Sequence, residues 1–215
     1  MIENILRNQN ALMLITRVFV LLICFPVHEC AHAWTADRLG DSTGRQRGRI
    51  SLNPFRHLDY MGTISILLIG VGYAKPVPVN TGRFRHRKRD YALMALAGPV
   101  SNLLMAVVFL LILRAIAFSS MLEDYKQLTI GLLTYAAYIN VSLAVFNLLP
   151  IPPLDGSRVI TALLPDHAYD NILRNERYAM GILLIAIMAL SRMGFSPISF
   201  LTERVFYFLY KWIAI

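Results

Sequence analysis

A chain of 215 residues that is 56% hydrophobic and only 16% charged, with a mean hydropathy of +0.53, carries more apolar side chain than one small core can bury. That composition excludes an ordinary soluble domain and points to a membrane protein. The net charge of +8 does not point to nucleic acid, because eleven of the 21 lysines and arginines lie in two stretches, Ala36 to Tyr60 and Ala74 to Asp90, beside apolar runs. This is the pattern of positive-inside loops.

The first predicted helix runs from about Gln9 to Leu39 and is stopped by Gly40. The one charge within its apolar run, Arg17, is expected to snorkel toward the nearer interface. The apolar run Ala11 to Val27 resembles a signal peptide but lacks a small-residue cleavage site and leads straight into a His-Glu pair, so it reads as a retained helix. Cys24 and Cys30 point in different directions on that helix, which implies no disulfide. From Asp41 to Tyr60 the chain is polar and basic, with Gly44, Gly48 and Asn53-Pro54 as breakers. The alternation in Arg49-Ile50-Ser51-Leu52 predicts a short strand.

Met61 to Tyr73 is apolar but too short to span, and arginine-rich loops flank it on both sides. It is expected to be re-entrant, a β-hairpin or a short helix, with Gly62, Gly70 and Gly72 favouring the hairpin. Two clear spans follow, Tyr91 to Phe118 and Leu128 to Leu149, joined by a connector holding Glu123, Asp124 and Lys126. If both basic loops are cytoplasmic, the Pro150 to Asp155 segment returns to the cytoplasmic side, near the end of the first helix. An amphipathic piece, Ser157 to Leu164, precedes a further apolar segment, Tyr178 to Phe195. The last, Ile198 to Ile215, carries Arg204 and Lys211 on one face and either crosses the membrane or lies in its interface. The fold class is therefore mainly α, a polytopic membrane protein with about five to six transmembrane helices, without repeats, low-complexity tracts or an appended soluble domain.

His28-Glu29-Cys30-Ala31-His32 places two imidazoles at i and i+4, about 40° apart on one helix face, where they can close on one metal ion. Imidazole suits zinc. Glu29 lies roughly 100° round from His28, placed to take a proton from water rather than to bind the ion. So short a pattern also arises by chance, but ionisable groups at the end of a membrane helix mark function by default. A zinc hydrolase needs a third protein ligand. His57, His86, His167, Asp59 and Asp90 lie in or beside polar loops, and Glu123 and Asp124 are expected on the opposite side. Asp155 follows the rigid Pro150-Ile151-Pro152-Pro153-Leu154 run and precedes Gly156, a position that suits either a ligand or the N-cap of a helix beginning at Ser157.

His28-Glu29-Cys30-Ala31-His32 together with Asn147-Leu148-Leu149-Pro150-Ile151-Pro152-Pro153-Leu154-Asp155-Gly156 resembles the paired signatures of the site-2 protease family of intramembrane zinc metalloproteases. The segments Gly72 to Asn80 and Ala97-Gly98-Pro99-Val100-Ser101-Asn102 are similar to those of its compact prokaryotic members, and the resemblance covers roughly Val20 to Leu164. It implies that His28, His32 and Asp155 bind Zn2+, that Glu29 activates water, and that residues 1–215 form a single membrane-embedded peptidase domain, its catalytic core about 10–164 and its C-terminal helices 165–215. The implied activity is cleavage of membrane-anchored protein substrates within or near their transmembrane segment, in regulated intramembrane proteolysis or the clearance of membrane remnants. A bacterial or archaeal cell membrane is implied, with the active site toward the cytoplasm. No PDZ-like insertion or nucleotide-sensing tail is recognisable.

Asn147 matches the family's asparagine near the third ligand and is a candidate to hold a substrate strand or polarise the scissile carbonyl. Asn140 and Asn102 are candidates for substrate binding too, or for hydrogen bonds between helices. The segment Met61 to Val79 resembles the family's re-entrant loop, which offers a strand edge to an unwinding substrate, or else simply plugs the site. The run Arg83 to Arg89 is expected to meet anionic lipid headgroups. A zinc-binding transporter predicts ionisable residues at several depths, whereas here they cluster at one level. A non-proteolytic partner-binding protein would not need Glu29.

Overall fold

The computed structural model describes residues 14–15, 17–69, 74–118, 126–169, 171–172, 179, 181–183, 185 and 197–214. The chain divides into two compact units, Met1–Arg85 and His86–Ile215. Mainly helical structure was expected, and no strand occurs among the described residues.

The first unit is built on α1 (Arg17–Arg38), long and apolar enough to cross a membrane. Its turns at Val20–Cys24 are π-helical, and Pro26 follows one residue later. A proline in a helix interior removes one backbone donor and crowds the carbonyl four residues back, and a wider turn accommodates both. The helix stops where expected. Gly40 has φ of 114°, and Asp41 N–H returns to the Ala36 carbonyl at 2.9 Å, closing a left-handed cap that glycine adopts without strain. Asp41, fully buried, accepts hydrogen bonds from Thr43 N and from Asn80 N at 2.7 Å, and so ties the exit of α1 to a segment 39 residues on. A single turn, α2 (Thr43–Gln46), follows.

Two expectations in this unit need correction. Residues Arg49 to Leu52 form no strand. Their polar groups bind side chains instead of a ladder: the Ser51 carbonyl meets the His57 ring at 2.7 Å, and Asn53 N–H donates to Ser51 Oγ. Of the two forms expected for Met61 to Tyr73, the described part takes the short helix, α3 (Tyr60–Ile69), and not the favoured hairpin, and residues 70–73 lie outside the described residues. Its ten residues rise about 15 Å, half of a hydrocarbon core. Arg17 does not simply snorkel, because its Nη1 donates to the carbonyls of Leu67 and Leu68 in the last turn of α3, groups that a helix leaves without internal partners.

The second unit packs α4 (Arg87–Ala117) against α5 (Lys126–Asn147). Both satisfy the requirements for a span, α5 over Thr129–Asn147. Their seam is a stripe of Ala106, Leu110 and Leu113 meeting Ala137, Val141 and Val145. Alanines within it let the backbones approach, the usual basis of helix association in lipid. The final helix α7 (Pro197–Ile213) covers the seam with Val205, Phe206, Leu209 and Ile213, while Phe200, Tyr207, Phe208 and Trp212 face outward. Leu93, Val100, Leu104, Val108 and Leu111 are likewise exposed along α4. Apolar surface both inside and outside suits a bilayer rather than water. Of the expected segment Tyr178 to Phe195, most lies outside the described residues.

A short helix, α6 (Asp155–Ala162), leaves the proline run after α5 and packs on α4. Gly156 is required here by space rather than by a left-handed turn. A Cβ on it would lie 2.1 Å from the Leu148 carbonyl oxygen. Beyond α6, Lys88 at the start of α4 donates to the Leu164 carbonyl at 2.6 Å and pairs with Asp166, and Tyr169 packs its buried ring under Arg87 and Lys88.

Candidate active site

In the first unit α1 brings His28 and His32 together, as their spacing requires. The two Nε2 atoms are 3.0 Å apart, with ring centroids 4.6 Å apart and planes at 88°. Both rings are buried. Two imidazole nitrogens at this separation fit one ion with metal–nitrogen bonds of about 2.1 Å, the zinc value, and the donor set is one zinc favours. Glu29 is half-buried on the adjoining face of the same turn.

Around Glu29 lies a polar shell that sequence reasoning read only in part. The Ser51 backbone hydrogen-bonds the Cys30 side chain and also binds the His57 ring, so the 49–57 loop is held against α1 at the residue after Glu29. His57 is fully buried. Because a carbonyl only accepts, Nε2 carries the proton donated to Ser51, and Nδ1 is left as a buried acceptor with no partner among the described residues. Arg49 is 4% exposed and gives its two terminal nitrogens to the carbonyls of Arg56 and Lys75. Burial pushes its guanidinium below the ordinary value, an effect that the charge of Glu29 opposes.

The remaining candidates belong to the second unit. Asp155 is the first residue of α6, and the N-cap is Leu154, with extended backbone and no side-chain cap bond. By position Asp155 is thus the first residue of the helix, one place after its N-cap. Asn140 is buried and donates from Nδ2 to Ala136 O in its own helix at 2.9 Å, and Asn147 does the same to Leu143 O at 2.9 Å. Asn102 differs. It is 1% exposed, and neither Oδ1 nor Nδ2 has a partner among the described residues. A buried amide left so is costly unless a further group reaches it.

The family model described as peptidase family M50 matches residues 115–190. The Bacillus subtilis protein YwhC is 40% identical over 177 residues, covering 78% of each chain. The chain belongs to the site-2 proteases, peptidase family M50. Rip2 of Mycolicibacterium smegmatis is 32% identical over 150 residues, 65% of this chain and 55% of its own. Rip2 of Mycobacterium tuberculosis is 30% identical over 176 residues, 78% of this chain and 64% of its own. All three relatives are named provisionally as zinc metalloproteases. No solved structure matches. This site-2 protease is a zinc metalloprotease, and its long apolar helices make it a membrane protein.

Sequence reasoning placed His57 in a loop as one of several possible metal ligands, and the protease uses its Nε2 to hold that loop. Burial holds the His57 imidazole below its ordinary value, the charges of Arg49 and Arg56 acting the same way, while the Ser51 bond and Glu29 oppose them. The unfolded chain binds this proton at about pH 6.5 and the folded chain only at lower pH. Between those values the unfolded state carries the extra proton, so stability falls as pH drops below about 6.5. Amide exchange across residues 49–57 of the zinc-loaded protease should accelerate from pH 7.5 toward 5.5, after correction for intrinsic exchange. The acceleration should vanish in His57→Gln. A flat profile in the wild type would remove the buried neutral imidazole from the account.

Proposed function

We propose that the protease is an intramembrane endopeptidase that cuts membrane-anchored proteins within or near their transmembrane segments. His28, His32 and Asp155 hold the zinc ion, and Glu29 is the general base. The observation that carries this reading is the approach of two buried imidazole nitrogens to 3.0 Å beside a half-buried carboxylate on a membrane-length helix. Bound zinc supplies Lewis-acid polarisation of the scissile carbonyl and makes water more acidic. Glu29 accepts the proton of the attacking water and delivers it to the departing amine nitrogen. Asp155 brings a negative charge to the N-terminal end of α6, where the helix dipole favours the ionised form that a ligand needs.

A substrate helix hides its scissile carbonyl in its own hydrogen bonds and must be extended before it is cut. The edge for that extended chain is the segment Lys75 to Asn80, not a hairpin at 61–69. It is neither helix nor turn, Pro76 and Pro78 have no N–H, and the N–H groups of Val77 and Val79 are unbonded among the described residues. Asn147, with Asn102 and Asn140, supplies amides for the substrate backbone. About five to six helices span a cell membrane, the site faces the cytoplasm, and the basic loops meet anionic headgroups.

The test compares membrane proteomes of cells expressing the wild type and Glu29→Gln. Fragments ending near a transmembrane segment should appear with the wild type, and their intact precursors should accumulate with the variant. A variant that holds zinc while no precursor accumulates would count against the endopeptidase reading.

A further inference from the structure

Arg49 is a cation buried beside the proposed base, in a protein where burying a charge is expensive and marks a task. It forms no ion pair among the described residues, and both terminal nitrogens go to backbone carbonyls. One carbonyl, Arg56, precedes His57. The other belongs to Lys75, whose own N–H donates to the His57 carbonyl at 2.8 Å. Both backbone groups of Lys75 are thus consumed at one point, by Arg49 and by the loop that Ser51 holds to α1 at Cys30.

From this anchor the chain runs without helix or turn to Asn80, whose backbone is extended and whose N–H is held by Asp41 at the exit of α1. Between the two ends Val77 packs against Gly44, where an added Cβ would lie 3.4 Å from Val77 Cγ1 and 3.3 Å from Ala33 Cβ of α1. Both ends and the middle of the segment therefore refer back to the helix that carries His28, Glu29 and His32. At Lys75 the connection runs through a buried cation, and at Asn80 through a buried carboxylate.

We propose that Arg49 is a positioning residue that sets the register of the Lys75–Asn80 segment against the Glu29 helix, and so fixes where an extended substrate lies relative to the base. The planar guanidinium suits this task, since its fork reaches two carbonyls at fixed angles, whereas an ammonium on a flexible stem serves as a point charge. The proposal rests on the reading of this segment as the substrate edge, and the experiment separates the two.

Full-length wild type, Arg49→Met and Arg49→Lys are compared, each loaded with zinc in nanodiscs. The measurements are bound zinc, amide exchange along 75–80 and along α1, and kcat and KM on a membrane-anchored substrate. Arg49→Met should keep its zinc and the protection of α1. Exchange at Lys75, whose N–H is bonded to the His57 carbonyl, should rise roughly tenfold or more, the effect of one lost charge-assisted hydrogen bond, and KM should rise with it while kcat changes less. Arg49→Lys should recover only part of either effect, and it carries the test if Arg49→Met does not fold. Unchanged exchange at Lys75, full recovery by lysine, or loss of zinc together with protection of α1 would each overturn the proposal. Faster exchange with kinetics unaltered would leave Arg49 as the anchor of the segment but remove the segment from substrate binding.

Discussion

Purified Glu29→Gln is expected to bind zinc as the wild type does and to cut a membrane-anchored substrate between about a hundred and ten thousand times more slowly, the range associated with a lost general base. The substitution keeps the shape of the side chain and removes only its ability to accept a proton. Glu29 lies on the same turn as His28, roughly 100° round the helix from it. At that offset it would stand beside an ion held by the two Nε2 atoms rather than between them. The imidazoles are brought to 3.0 Å by helix geometry alone, so their arrangement does not depend on residue 29. Metal content and rate should therefore separate. Glu29→Asp sharpens the test, because a carboxylate drawn back by one methylene keeps the chemistry but loses the reach, and should fall between wild type and the amide. If Glu29→Gln loses its zinc, residue 29 is a ligand. If it keeps full activity, the base lies elsewhere.

What could be read in the sequence follows from which interactions are local. The His28 and His32 pair needs only the helical period, and the stop at Gly40 needs only a residue tolerant of positive φ. The seam of α4 and α5 was visible as two long apolar runs. Met61 to Ile69 was harder, because a short apolar run does not separate strand from helix by periodicity, and glycines tilted the balance the wrong way. Arg49 to Leu52 alternates like a strand. That alternation instead reflects a buried arginine whose carbonyl partners lie 7 and 26 residues away. Arg17 is similar, since its acceptors on α3 are 50 and 51 residues off. Charged side chains that cap distant backbone leave no mark in the local pattern, so the hydrogen bonds that join α1 to its neighbouring loops had to come from the structure.

The larger effect is expected at Asp155. Asp155→Ala should lower zinc affinity by more than about a hundredfold, beyond what loss of an outer hydrogen-bond partner costs a metal site, and proteolysis should disappear with the metal. Two readings of this carboxylate compete. As the first residue of α6, with Leu154 as the cap, it is favoured by the helix dipole, and a role confined to that would cost about 0.3–1 kcal/mol of stability and no metal. As the third ligand it completes a His-His-Asp set that leaves one position open for chemistry, and its removal leaves two imidazoles that hold zinc poorly. Asp90 is the fitting control. It is fully buried in the same unit and was itself a candidate from sequence, but its oxygens are occupied by His86 N–H at 2.8 Å and Arg89 Nε at 3.0 Å. Asp90→Asn should therefore weaken the start of α4 and leave zinc stoichiometry unchanged. Titration of both variants with zinc under a competing chelator decides between the readings. Wild-type affinity in Asp155→Ala would reduce that carboxylate to a helix-end charge, whereas loss confined to Asp155 identifies it as the ligand that His28 and His32 require.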